Sequence, residues 1–272
     1  MTERPPILQN FLDQLFDALQ RGQGLPEAGR CIDRVFTALV DYRGPGQNTP
    51  GRLPACAHLA PALDNARPTH AALAESFAAL EPHLTWTKRA QSHPTASANF
   101  VDGHANALIV GPDAYEGRDD VWVGVSLLAP QVRYPDHNHG PEETYLALSE
   151  GRFQHGDENW HLPGIGGKFY NTPNIRHAMA SDDKPFLAIW CLPVGEKAPV
   201  APPKFKQFDH VRYRGPTWLS YDLRAGDGGA ILEVYGDGYY EVQFDYPDGV
   251  TNKTVDAFPE EQLERWKTPS QP

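Results

Sequence analysis

Tyr134-Pro-Asp-His137-Asn-His139-Gly-Pro-Glu142-Glu143-Thr-Tyr145 is the stretch on which the reading of this chain turns. It holds two histidines, two phenols and three carboxylates, Asp136, Glu142 and Glu143. The preceding run, Val121-Trp-Val-Gly-Val-Ser-Leu-Leu128, is β-rich and alternating and reads as a strand. Residues two apart on an extended chain share a face, so His137 and His139 should point the same way. Gly140-Pro141 reads as a turn. Glu143 and Tyr145 should then share a face on the return strand of a hairpin, with Glu142 turned the other way to solvent. Such a hairpin can aim two imidazoles, one carboxylate and one phenol at a common point, as a divalent metal requires.

An isolated histidine is more often a surface group or a hydrogen-bonded core residue than a ligand, and H-x-H alone is common. The glutamate four positions after His139 and a further histidine, His177, weigh toward a metal site. His177 closes Gly167-Lys-Phe-Tyr-Asn-Thr-Pro173-Asn-Ile-Arg-His, a glycine turn, a strand and a proline bend. H-x-H-x3-E followed by G-x5-P-x3-H resembles the two motifs of the cupin superfamily, a small β-barrel holding its metal on three His and one Glu. Gln131 stands where cupins usually have glycine, which marks a divergent branch. Y-x-x-H-x-H-x3-E-x-Y, then N-T-P-x3-H-A-M and Leu187-Ala-Ile-Trp190, resemble the cupin-type dimethylsulfoniopropionate (DMSP) lyases over roughly residues 60 to 195.

The resemblance implies a β-elimination that releases dimethyl sulfide and acrylate from DMSP, a small zwitterion with a cationic sulfonium. His137, His139, Glu143 and His177 would hold one divalent transition metal, and this N/O set suits Fe, Zn, Mn, Ni or Co alike. Tyr145 matches the family tyrosine credited with base chemistry or with binding the metal itself, and Tyr134 matches its companion. A phenol ionises near pH 10 in water, so base duty at neutral pH needs a positive neighbour. Trp122, Trp160, Tyr170 and Trp190 are candidates for the aromatic faces that would receive the sulfonium. Each of them read alone is an ordinary barrel-core residue. Two other readings stay open: a different metal-dependent cupin enzyme, such as a dioxygenase or isomerase, and a non-catalytic ligand-binding cupin.

Composition bounds the rest. The 26 prolines and 24 glycines suit a turn-rich β architecture, and 40% hydrophobic residues can build a core. A net charge of -11 argues against nucleic acid and anionic membranes as partners. Cys31, Cys56 and Cys191 are odd in number and far apart, which suggests free thiols in a reducing compartment. With no signal-like start or membrane-length apolar run, the expected location is the cytoplasm.

Along the chain, residues 1–83 read as a helical segment. Ile7, Leu8, Phe11, Leu12, Leu15 and Leu19 recur at helical spacing, as do Cys31, Ile32, Val35 and Phe36 after the Gly22-Gln-Gly24 break. A third helix is expected after Pro68 with Thr69 as its cap. These helices read as packing elements or as the dimerisation arm of a homodimer. Residues 84–194 carry short strands, including a hairpin at Asp102-Gly103, and give the metal-binding barrel or jelly roll. His155 and His161 are expected to be exposed, and His104 has no assigned role. Residues 195–210 read as a Pro-rich linker. Residues 211–272 read as a small SH3-like β module with turns at Gly236-Gly238 and Pro247-Gly249, closed by a short helix over Pro259–Trp266. The fold class is therefore mainly β: a barrel preceded by helices and followed by a small β-barrel.

Overall fold

A computed structural model describes residues 3–21, 25–90, 93–194, 203–214, 223–235, 239–245 and 252–266. The chain divides into two units, Met1–Gly195 and Glu196–Pro272. The first part of the expected linker, the Gly22-Gly24 break and the turns at 236–238 and 247–249 lie outside the described residues.

In the first unit, α1 (Pro6–Gln20) and α2 (Pro26–Ala38) both open on proline, whose missing N–H is one the first turn does not use. Leu8, Phe11, Leu12, Leu15 and Leu19 of α1 and Ile32 and Val35 of α2 form buried stripes at helical spacing. The third helix starts earlier than its proline suggested. α3 runs Leu59–Leu80 with Pro68 inside it, and leaves helical geometry at His70. Proline kinks the helix here rather than starting it. Leu63 and Ala66 before the kink and Leu73 and Phe77 after it are all buried.

The expected hairpin at Asp102-Gly103 is instead a helical turn, α4 (Phe100–Gly103), leading into a strand. Phe100 is fully buried and stacks on His104 at 3.9 Å, which holds the turn inward. A Cβ on Gly103 would lie 2.6 Å from Val132, so this position requires glycine's close approach.

The strands are β1 (Trp86–Thr87), β2 (His104–Gly111), β3 (Glu116–Gly117), β4 (Val121–Leu128), β5 (Arg133–His137), β6 (Glu143–Ala147), β7 (Arg152–His155), β8 (Lys168–Asn171), β9 (His177–Ala180) and β10 (Phe186–Pro193). A large sheet has the order β1-β2-β4-β10-β6-β8, with β3 beside β2, and a small one has the order β5-β9-β7. Alternation sorts the large sheet's two faces. Val121, Val123, Val125, Leu127, Leu187, Ile189 and Cys191 join the helices in one core. Leu128, Phe186, Ala188, Tyr145 and Phe169 join Tyr134, Phe153 and Met179 of the small sheet in a second.

The metal stretch does not form the expected hairpin. β5 belongs to the small sheet, while β6 is flanked by β10 and β8 in the large one. With both edges of β6 taken, β5 pairs with β9 instead, through a register shift between Tyr134 and His137. Residues 138–142 therefore cross from one sheet to the other. Gln131 adopts φ 60, the left-handed backbone that glycine adopts most easily. Its N–H donates to Asp182 O at 2.7 Å and its amide to Asp183 at 2.6 Å, which offsets the strain.

Cys31, Cys56 and Cys191 are free and buried. Among the described residues, no helix is long and apolar enough to cross a membrane.

In the second unit, β11 (His210–Tyr213), β12 (Gly228–Tyr235), β13 (Tyr239–Asp245), β14 (Asn252–Pro259) and β15 (Leu263–Arg265) form one antiparallel sheet in the order β14-β13-β12-β11-β15. Val211, Tyr213, Ile231, Tyr240, Val242, Phe244 and Leu263 are its core. The helix expected over Pro259–Trp266 is a single 3-10 turn, Glu260–Gln262, followed by β15. Pairing Leu263 with Tyr213 buries its side chain and satisfies the β11 edge, which the weak local helix signal does not outweigh.

Candidate active site

His137 and His177 are directly paired across β5 and β9, and His155 is paired with His177 on the other side. The His137 and His177 ring centroids are 4.1 Å apart, and those of His139 and His177 are 5.1 Å apart. Glu143 enters from the opposite sheet. The ligating atoms of His139, Glu143 and His177 all lie within 4.8 Å of one another. His137 is not in that group, although its ring adjoins it. The crossing between sheets is what brings these groups together.

Local chemistry fixes which ring nitrogen is offered. Nδ1 of His137 lies 2.9 Å from Pro135 O, Nδ1 of His139 2.8 Å from Pro141 O, and Nδ1 of His177 2.9 Å from Ile175 O. A carbonyl only accepts, so each Nδ1 carries a proton. Nε2 of His137 and of His177 is left as donor atom for a metal, and Nε2 of His139, protonated toward Glu143 in the metal-free protein, becomes one when a cation displaces that proton. His177 Nε2 is buried with no hydrogen-bond partner. It lies 3.4 Å from Glu143 Oε2, close enough for charge attraction but outside hydrogen-bond geometry. An orphaned buried nitrogen facing a carboxylate, among histidines that all carry a proton on Nδ1, fits a divalent cation.

The electrostatics agree with a site built for positive charge. Burial opposes ionisation of Glu143, but the hydrogen bond from His139 at 3.1 Å and the attraction of the His177 and His139 rings beside it hold its carboxyl well below the usual range. Burial pulls His139 down, and the same carboxylate more than reverses this, leaving its pKa raised. His137 is lowered to about 3, by burial first and by His177 second, so it is a neutral ligand-ready imidazole at pH 7.

Tyr145 is buried, two residues beyond Glu143 on the same strand face, with its ring 6.4 Å from that of His177. Burial first, then the Glu143 charge, push its phenol well above pH 10. Tyr134 lies 5.0 Å from the His137 ring, its oxygen accepting from Asn106 at 3.3 Å. Its pKa is raised by burial, against the pull of Arg89 and Asn106.

The four aromatic candidates part company. Trp190 is the register partner of both Tyr145 and Gly124, and donates to Ser126 Oγ at 3.1 Å. Trp122 lies two residues from Gly124 on the same strand face, its Nε1 buried without a partner. Tyr170 turns to the helix side, donating to Glu142 Oε2 at 2.6 Å and packing on Ala28 and Cys31. Trp160 lies under two guanidiniums, with Arg152 at 4.9 Å and Arg133 at 5.6 Å from its ring centroid. A cation already occupies the electron-rich faces that a sulfonium would need.

Two other expectations, for Glu142 and His155, are revised. Glu142 does turn away from Glu143, but that face is covered by α2: it is buried and paired with Arg34. His161 is exposed, whereas His155 is half-buried, 4.4 Å from the Phe169 ring. His104 is fully buried, accepting from the Arg89 backbone N–H at 2.9 Å. Sequence reasoning also passed over Asn171, which donates to Glu143 Oε2 at 2.8 Å. Its place two residues from Phe169 on an alternating strand was the available signal.

A two-sheet barrel carrying His and Glu donors on its inner face defines a cupin. The family model for dimethylsulfoniopropionate lyase matches residues 27–188, and the chain belongs to that family of carbon–sulfur lyases. The dimethylsulfoniopropionate lyase DddQ of Ruegeria pomeroyi is 28% identical over 190 residues, covering 70% of this chain and 90% of that protein. The putative dimethylsulfoniopropionate lyase DddL of Cereibacter sphaeroides is 30% identical over 183 residues, covering 64% and 76%. The crystal structure of the Ruegeria DddQ superposes with a TM-score of 0.56 at 22% identity, covering 72% of this chain and 95% of that one. The second unit lies beyond the family match.

Proposed function

We propose that this protein cleaves DMSP by β-elimination, with His137, His139, Glu143 and His177 holding one divalent transition metal and Tyr145 acting as base. The observation that carries the reading is the placement of the buried Tyr145 phenol on the same strand face as Glu143, the carboxylate that meets His139 and His177, with its ring 6.4 Å from that of His177. When bound, the cation supplies a Lewis acid for the substrate carboxylate and positive charge that favours phenolate. The chain's own groups do the rest. The buried Tyr145 oxygen takes the α-proton, the C–H pair becomes the new C=C bond, and the C–S pair leaves with neutral dimethyl sulfide. Tyr134 assists from beside His137. The sulfonium rests against Trp190, whose ring packs by one side on the Gly124 backbone, where a Cβ would lie 2.2 Å away, and borders the inner cluster as a partly buried residue. Trp122 extends that surface. Buried free thiols suit a reducing cytoplasm as the place of work.

The test is headspace dimethyl sulfide from DMSP, with acrylate counted in solution. Metal-loaded protein should release both in equal amounts, chelation should abolish release, and re-addition should restore it. Fully metal-loaded protein that releases no dimethyl sulfide would remove the reading.

A further inference from the structure

His155 uses its ring differently from His137, His139 and His177. Its Nε2 lies 2.8 Å from Asn171 Oδ1, and Asn171 Nδ2 lies 2.8 Å from Glu143 Oε2. Asn171 is fully buried, and Glu143 is 3% exposed, so no bulk water stands in for either bond.

The direction of this chain follows from its end. An ionised carboxylate can only accept, and an amide oxygen turned toward it would set two acceptors together in a buried space. Glu143 therefore requires the NH2 of Asn171 to face it, which turns the amide oxygen to His155. That oxygen also only accepts, so His155 Nε2 must carry a proton. His137, His139 and His177 are the reverse case, with Nδ1 protonated and Nε2 offered inward. His155 thus cannot use Nε2 as a ligand while the chain is intact, and every donor in it points at Glu143.

We infer that His155 and Asn171 are positioning residues that orient the Glu143 carboxylate for the cation. The inference rests on the metal reading given above. Asn171 occupies a fixed direction on Oε2, and His155 prevents the amide from flipping its oxygen toward Glu143. Groups behind a metal ligand typically change affinity by about 10–100-fold when removed.

The experiment measures Co²⁺ affinity of the full-length metal-free protein by chelator competition, followed by the ion's visible absorption. Asn171→Leu should weaken binding by about 10–100-fold and change the absorption bands. His155→Phe should weaken it in the same sense, and His155→Gln, whose amide N–H can reach Asn171, should restore most of the loss. A merely structural role would not distinguish Phe from Gln in this way. Thermal unfolding of each metal-free variant controls for folding, and the His155 pair decides alone if Asn171→Leu does not fold. Wild-type affinity in His155→Phe, or equal loss in Phe and Gln, overturns the inference while leaving the metal reading intact. Wild-type protein that binds no divalent cation overturns both.

Discussion

Glu142 and Glu143 are neighbours in sequence that serve opposite faces of one sheet. Glu142 pairs with Arg34 of α2 and accepts from Tyr170, whereas Glu143 meets His139, His177 and Asn171 between the sheets. The alternation of an extended chain sends one carboxylate to the helix side and its neighbour into the histidine cluster.

The two should therefore fail differently. Glu142→Ala removes the ion pair with Arg34 and the hydrogen bond from the Tyr170 phenol, and should cost about 1–3 kcal/mol of stability in urea unfolding while metal content stays unchanged. Glu143→Gln should leave the fold intact and lose retained metal after desalting. Elemental analysis beside denaturation curves distinguishes them.

Tyr145→Phe should lower dimethyl sulfide production by about 10²–10⁴-fold, the usual worth of a positioned base. Metal content separates base from ligand: a base variant keeps its metal, a ligand variant does not. Tyr134→Phe should lower the rate less, since Tyr134 contacts His137 rather than Glu143.

Trp190→Leu should raise KM for DMSP more than it lowers kcat, with metal content unchanged. A cation over an indole contributes about 0.5–2 kcal/mol, which sets the expected rise at roughly 2–30-fold. Trp160→Leu should leave KM unaltered, because its ring is already engaged by Arg133 and Arg152. Steady-state kinetics by headspace chromatography decides both.

The metal-free protein should lose stability as pH falls from 7 to 5. His137 titrates near 3 in the fold against an ordinary 6.5, and burial also lowers His104 and His155. The unfolded chain then binds more protons below 6.5, so the stability these neutral rings contribute is full above that pH and declines beneath it. His139 acts in the opposite sense, contributing below 6.5 and losing its contribution as pH rises through its raised value. Glu143, held low, contributes above the ordinary carboxyl range and loses this only in stronger acid. A Tm that rises on acidification in this window would show the His139–Glu143 pair dominating. Metal affinity should fall with pH as well, since protons compete for the same nitrogens.

What the sequence by itself determined is local. Period-two spacing put Glu143 and Tyr145 on one face and Glu142 on the other, helical spacing marked the buried stripes of α1 and α2, and a family motif named the donor set. Gln131, read as a departure from the family glycine, takes the left-handed backbone at which glycine is easiest to place. What only the tertiary structure decided is which faces meet. Glu142 was legible as outward-facing, but not that α2 covers it, nor that Tyr170, read as a sulfonium face or a barrel-core residue, lies on that same helix side. The sequence held no sign that β5 and β6 join different sheets, that Trp160 lies under two arginines, or that His155 reaches Asn171. Those contacts join residues far apart in sequence, and non-local pairing is set by competition among all strand edges and buried faces together. The same competition turned Leu263 into a strand residue where its neighbours alone read as helix.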